Sequence, residues 1–236
     1  MKEAFTYMFK DNKFGEKYFS YFVFMFAGIF LPLLLQKLVE MKDFVAIIPI
    51  CLLSVICSFV TAGYYLKCVK AIGIRQDNYL LPFLGIFDSF KLGFKYMIAI
   101  LIVSFCWGIL LVIPFVNIII AILAIVFLAY YSFAYTWIFA HTEGFGSYLR
   151  IKFAGELIGE GKKNYFCSLI KAMFAGIITT AATAVFCVPI YLILKEGYIT
   201  NLLVSLVAAI VGTYASFISA YFIAKSIKPE CINMLE

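Results

Sequence analysis

The sequence predicts an all-α polytopic membrane bundle: six transmembrane helices joined as three hairpins, with amphipathic segments at the cytoplasmic interface. Three observations carry this. Long stretches contain no charged residue, nearly all Lys and Arg fall between alternate stretches, and one arrangement of Gly, Lys, Tyr and Pro occurs three times.

The uncharged stretches come first. They run from Tyr18 to Gln36, Phe44 to Leu66, Tyr96 to Thr142 (interrupted only by titratable His141), Ala172 to Leu194 and Gly197 to Ala224. A crossing helix needs roughly 20 apolar residues. The third run is too long for one crossing and folds back at Pro114-Phe115-Val116-Asn117, because Pro and Asn punctuate helices. Six spans follow, at 18–37, 44–66, 96–113, 118–140, 168–194 and 198–224. Composition agrees: the 236 residues are 65% hydrophobic and 14% charged, where a soluble domain carries about 25% charged residues. The first span is longer than a signal-peptide core of roughly 7–15 residues, and no small-x-small cleavage site follows, so it reads as retained. The chain is expected to form one membrane domain, 1–236.

Orientation rests on the basic residues. Of the nineteen Lys and Arg, all but Lys37, Lys42 and Lys195 fall on one side of this topology. The positive-inside rule makes that side cytoplasmic, with both termini there, and the cell membrane is the expected location. The net charge of +6 is then an orientation signal that also favours anionic lipid headgroups, at about 1 kcal/mol per basic residue near the surface. A nucleic-acid partner is not expected, since no reader motif accompanies the basic residues.

The repeat lies at the span boundaries. Gly15-Glu16-Lys17-Tyr18, Gly93-Phe94-Lys95-Tyr96 and Gly161-Lys162-Lys163-Asn164-Tyr165 lead into spans one, three and five. Pro32, Pro114 and Pro189 mark their outer ends, and the even spans close with GYYLK, AYTWI and AYFIAK. Units at approximately 1–67, 80–140 and 150–225 result. The cytoplasmic segment of the second unit, LLPFLGIFDSFKLGFKY, places Phe83, Phe87, Phe90 and Phe94 on one helical stripe. Asp88, Lys91 and Lys95 lie about 100° away, given the helical period. With Pro82 at its start, the segment is expected to lie in the interface with rings toward acyl chains, as a linker or, alternatively, a docking surface. Phe5, Met8 and Phe9 share a face in the first copy, and a short helix is expected around Leu149 to Leu157 in the third.

Gly63-Tyr64-Tyr65-Leu66, the basic stretch to Gly73, then Leu81-Pro82, Phe87 and Phe90-Lys91-Leu92-Gly93 resemble the core of domain-of-unknown-function family 4013. That family consists of bacterial and archaeal multi-pass membrane proteins. AFTYMFKD, residues 4 to 11, is similar to its usual opening. Relatives carry acidic and Trp residues after the Leu-Pro, where this chain reads FLGIFDS. The resemblance implies the architecture and no activity.

Packing between helices in lipid depends on close approach. Ala172, Gly176, Thr180 and Ala184 on span five, and Ala208, Gly212, Ser216 and Ala220 on span six, form small-residue ridges at strict four-residue spacing. The short joining loop makes these spans antiparallel neighbours. Spans one to four are expected to pack more loosely or to face lipid.

Catalytic landmarks are sparse. No charged residue lies deep in a span, which argues against an ion-coupled pump. His141, beside Thr142 and Glu143, is the one general-base candidate, without a nucleophile or metal partner at useful spacing. Thr179, Thr180 and Thr183 offer a polar seam or bond back to their own helix. Pro114 and Pro189 read as helix terminators. Seven Cys form no C-x-x-C pair, and no cofactor is expected. The expected role is non-enzymatic, an interaction or scaffolding function on the basic face with an unidentified protein partner. The alternative is a small permease or channel for an uncharged or lipidic solute along the seam of spans five and six.

Overall fold

The computed structural model describes the chain apart from residues 12, 42–43, 76–84, 112–116, 147–149, 196, 229 and 232–236. The elements are α1 (Lys2–Thr6), a 3-10 turn (Tyr7–Lys10), α2 (Phe14–Glu40), α3 (Phe44–Arg75), α4 (Ile86–Leu111), α5 (Asn117–Thr142), α6 (Ile151–Glu160), α7 (Lys162–Leu194) and α8 (Tyr198–Ser226). There is no strand among the described residues. Six of the helices, α2, α3, α4, α5, α7 and α8, are long and apolar enough to cross a membrane, so the chain is a polytopic helical membrane protein.

Several helices run further than the sequence suggests. At 32 residues α3 is about 48 Å long at 1.5 Å per residue, against a hydrocarbon core of about 30 Å. Its last turns carry Lys67, Lys70 and Arg75, which the sequence reading placed in a link. Pro32, Pro49 and Pro189 all lie inside helices. Pro189 is therefore no terminator: a helix broken in hydrocarbon would leave backbone groups without partners, and α7 continues to Leu194. The expected fold-back at Pro114 lies outside the described residues.

Among the described glycines, the tightest approaches join α3 to α4. A Cβ placed on Gly63 would lie 1.7 Å from the Ser89 carbonyl oxygen, and one on Gly93 would lie 1.8 Å from that of Phe59. The two helices cross backbone against backbone, as small residues allow in lipid. This corrects the expectation of loose packing among the first four spans. The α2–α3 and α7–α8 pairs are also extensively packed, whereas α4 rests mainly on α3 and touches α5 lightly.

The core occupies one end of the bundle. Its buried residues come from the start of α2 (Tyr21), the end of α3 (Tyr64 to Ile72), the start of α4 (Leu92, Ala99) and the end of α5 (Phe133 to Ala140). Ala154, Leu157 and Ile158 of α6, Tyr165 and Ala175 of α7, and Phe217 to Ile227 complete it. The other ends of α4 and α5 are uncovered, with Ile102, Phe105, Ile109, Ile118, Ile119, Ile122 and Leu123 all exposed, as a lipid-facing surface requires.

The N-terminal segment belongs to this core. Tyr7 and Met8 are wholly buried. The Tyr7 hydroxyl donates to the Phe217 carbonyl at 2.9 Å, and its ring lies 4.9 Å from that of Tyr221. Tyr214 donates to the Phe5 carbonyl at 2.8 Å. Phe9, placed by the sequence on the same apolar face, is exposed, because the chain leaves α1 through a tighter 3-10 turn that rotates the face. At the other terminus, the Cys231 thiol donates to Glu160 Oε2 at 3.4 Å. The N-terminal segment and Cys231 thus both pack at the basic end.

Candidate functional site

Most of the charged residues lie at the end of the bundle that holds the core, and a cleft of about 410 Å³ opens there between α1, α7 and α8. Its cationic side chains are Lys171 from α7 and Lys225 from α8. Asn164, Cys167 and Ser168 add polar atoms from the first turns of α7. The spacing Asn164, Ser168, Lys171 puts all three on one helical face.

Glu3 is the acid in this cleft. Its Oε2 accepts a hydrogen bond from the Tyr221 hydroxyl at 3.2 Å. Neither Lys171 nor Lys225 is held by a carboxylate among the described residues, where the ion pairs are Lys17–Asp11 and Lys70–Glu143. The cleft is therefore net positive and open to an anion.

A second pocket, of about 180 Å³, continues the same seam toward the membrane. Ala172, Ala175, Gly176 and Thr179 line it from α7, and Ala215, Ile218 and Ser219 from α8. The Thr179 hydroxyl bonds back to the Ala175 and Gly176 carbonyls, each at 3.0 Å. Ser219 is within 3.1 Å of the Tyr65 hydroxyl. The pocket wall thus offers hydroxyls already engaged, between aliphatic surfaces.

The small-residue ridges fall only partly on this seam. Ala172 is half-buried, but Gly176, Thr180 and Ala184 are exposed and border an open groove on the outer face of α7. The buried residues of α7 in the seam are Ala175 and Thr179. Successive residues on a helix differ by about 100°, so the ridge, one position out of phase with Ala175 and Thr179, turns out of the contact. On α8, Ala208, Gly212 and Ser216 are half-buried and Ala220 is buried, while the fully buried small series is Ser205, Ala209 and Thr213. A Cβ on Gly176 or Gly212 would meet nothing within 4 Å, so neither glycine is required for close approach.

The described part of the aromatic segment is not a separate interfacial helix. From Ile86 onward it forms the first turns of α4. Phe90 and Phe94 pack on Phe59 of α3, with centroids at 5.6 and 5.4 Å. Phe87, Asp88 and Lys91 are exposed and Lys95 is half-buried; Phe83 and Pro82 lie outside the described residues. The Gly63–Gly93 crossing brings α4 so near α3 that Phe59 packs on Phe90 and Phe94, while Phe87 stays exposed. In the third copy, α6 begins at Ile151, and Leu149 also falls outside the described residues.

His141 does not meet the carboxylate beside it. Glu143 pairs with Lys70 at 2.8 Å, and Thr142 donates to the Ile138 carbonyl at 2.9 Å. The His141 ring stacks on Trp137 at 4.1 Å, with Nδ1 2.8 Å from the Trp137 carbonyl. No group of three potential metal ligands occurs among the described residues.

Sequence reasoning missed the cleft because Lys171 and Lys225 were read only as orientation signals. The available clue was Asn164, Ser168 and Lys171 on one face near the start of α7. No protein-family model, curated protein or solved structure matches the chain, so the chemistry of this end rests on its own geometry.

Proposed function

We propose that this is a non-enzymatic protein of the cell membrane whose basic end faces the cytoplasm and serves as an interaction platform. One observation carries the reading. The N-terminal segment, α6, Ile227 and Cys231, none of them membrane-spanning, are packed into the core, with hydrogen bonds Tyr7–Phe217 and Cys231–Glu160. The platform is basic and ordered, which suits anionic headgroups and a protein partner that reads a fixed surface. The likeness to domain-of-unknown-function family 4013 agrees with the architecture and adds no activity.

The sidedness is tested with a reporter fused at each terminus. Protection of both in intact cells is the expected result, and accessibility of either from outside overturns the reading. The interaction role is tested by crosslinking in native membranes, comparing the unaltered chain with a Phe87→Ser/Lys91→Glu variant. A specific crosslinked protein lost in the variant supports a partner at the start of α4.

A second reading is favoured by the pocket in the α7–α8 seam: a permease for an uncharged or lipidic solute. It predicts flux in reconstituted vesicles that stops when Ala175→Leu or Ala215→Leu fills the seam.

A further inference from the structure

The polar cleft and the seam pocket are two parts of one feature. On α7 the residues Ser168, Lys171, Ala175 and Thr179 follow one another at three- and four-residue steps, and on α8 so do Lys225, Phe222, Ile218 and Ala215. Each set is one continuous stripe of its helix. Along both stripes the chemistry changes in the same direction, from cationic and hydrogen-bonding to small and aliphatic. Lys171 and Ala172 are adjacent in the chain, so the change takes less than one turn.

That gradient matches a single kind of molecule. The outer part holds two ammonium groups without carboxylate partners, plus the hydroxyl of Ser168 and the amide of Asn164. These groups suit phosphate oxygens, which accept charge-assisted hydrogen bonds. The hydroxyls of the inner part already have partners, Thr179 on its own helix and Ser219 at Tyr65. That part accepts hydrocarbon and rejects a sugar or a second charged group. We propose that the cleft and pocket together bind one anionic phospholipid, with its phosphate held by Lys171 and Lys225 and one acyl chain lying in the α7–α8 seam.

The site deepens the reading of a basic, lipid-facing platform and rests on it. The bilayer is the source of the ligand, because a free phosphate would leave the aliphatic half of the feature empty. A choline headgroup is disfavoured, since two lysines repel a fixed cation at the position of the phosphate's substituent. The lipid also has a structural effect. It fills the gap between α1 and α7 and so links the N-terminal segment to a helix on the other side of the cleft.

The test uses the full chain, purified in detergent and stripped of lipid, with phosphatidylglycerol or phosphatidylcholine added in mixed micelles. Native mass spectrometry counts retained lipid, and thermal unfolding reports stabilisation. One phosphatidylglycerol is expected per chain, retained at least tenfold better than phosphatidylcholine, with a raised Tm. Lys171→Ala/Lys225→Ala abolishes that preference and Lys171→Arg/Lys225→Arg keeps it. Gly176→Leu, at a position with open space, weakens retention of both lipids. Folding of each variant is checked by its Tm without lipid. Equal retention of the two lipids by the unaltered chain, or an undiminished preference in the double alanine variant, overturns the proposal. Equal stabilisation by glycerol 3-phosphate or inorganic phosphate overturns the lipid assignment in favour of a soluble anion. Micelles have no sidedness, so a reversed topology would show in the terminal reporters and leave this result untouched.

Discussion

Gly63 and Gly93 face each other across the α3–α4 crossing, each with the other's helix backbone where a side chain would begin. The obstacle at both positions is a carbonyl oxygen, not a flexible side chain, so an added methyl group must push the helices apart. Gly93→Ala or Gly63→Ala is expected to cost about 2 kcal/mol or more, as overpacking does. Gly108 lies in the same helix as Gly93 with nothing within 4 Å of its Cβ position, and Gly108→Ala should change stability by under about 0.5 kcal/mol. Thermal unfolding in detergent compares the three. A Gly93→Ala protein as stable as Gly108→Ala would show that α3 and α4 do not cross at this point.

Tyr7 anchors the N-terminal segment by a hydrogen bond and by burial. Tyr7→Phe removes the hydrogen bond alone and should cost about 1 kcal/mol. Tyr7→Ala also empties the ring's place and should cost about 3 kcal/mol or more. The second variant is expected to free residues 1–10, seen as rapid amide hydrogen exchange there while α7 and α8 keep their protection. Unchanged exchange at Phe5 and Tyr7 in the alanine variant would contradict the anchoring role.

Cysteine reactivity reads the C-terminal contact. Burial, then the Glu160 carboxylate beside it, push the Cys231 thiol up to about 11. The thiolate is the reactive form, so at pH 8 only about one thiol in a thousand is ionised, each pH unit below the pKa being tenfold. Cys167 is exposed at the same end of the bundle. Maleimide should therefore modify Cys167 at least tenfold faster than Cys231, measured by peptide mass spectrometry. Glu160→Gln removes the carboxylate's contribution and should narrow the gap. Equal rates in the unaltered protein would place Cys231 away from Glu160.

Two buried hydroxyls of α8, on Ser205 and Thr213, have no hydrogen-bond partner among the described residues. An unmet hydroxyl carries a desolvation penalty. Ser205→Ala and Thr213→Val should each leave stability unchanged or raise it by up to about 1 kcal/mol, again by thermal unfolding. A loss of more than that from either would assign its hydroxyl a partner or a passing solute.

The sequence made the six crossings and the α7–α8 pairing legible because both depend on quantities local in the chain: run length, charge and loop length. The position of the α3–α4 crossing was hidden, since Gly63 and Gly93 each resemble an ordinary interfacial glycine and acquire meaning only when opposed. The ridge on α7 failed for a related reason. Ala175–Thr179 and Gly176–Thr180 are both small pairs at the same spacing, and helix phase, which decides between them, depends on where α8 lies. Tyr7 was overlooked because one polar atom excluded it from a stripe of Phe and Met, although that atom is what ties it to Phe217.

Because the interlocked residues crowd one terminus-bearing end and the far halves of α4 and α5 stand apart, the body is rigid at its root and pliant at its tips. A membrane that thins or is squeezed laterally should deform the tips first, since mismatch is relieved by tilting whatever is least constrained. The spacing between Tyr7 and Cys231 would then survive changes in the surrounding lipid, giving anything seated there a footing of constant shape.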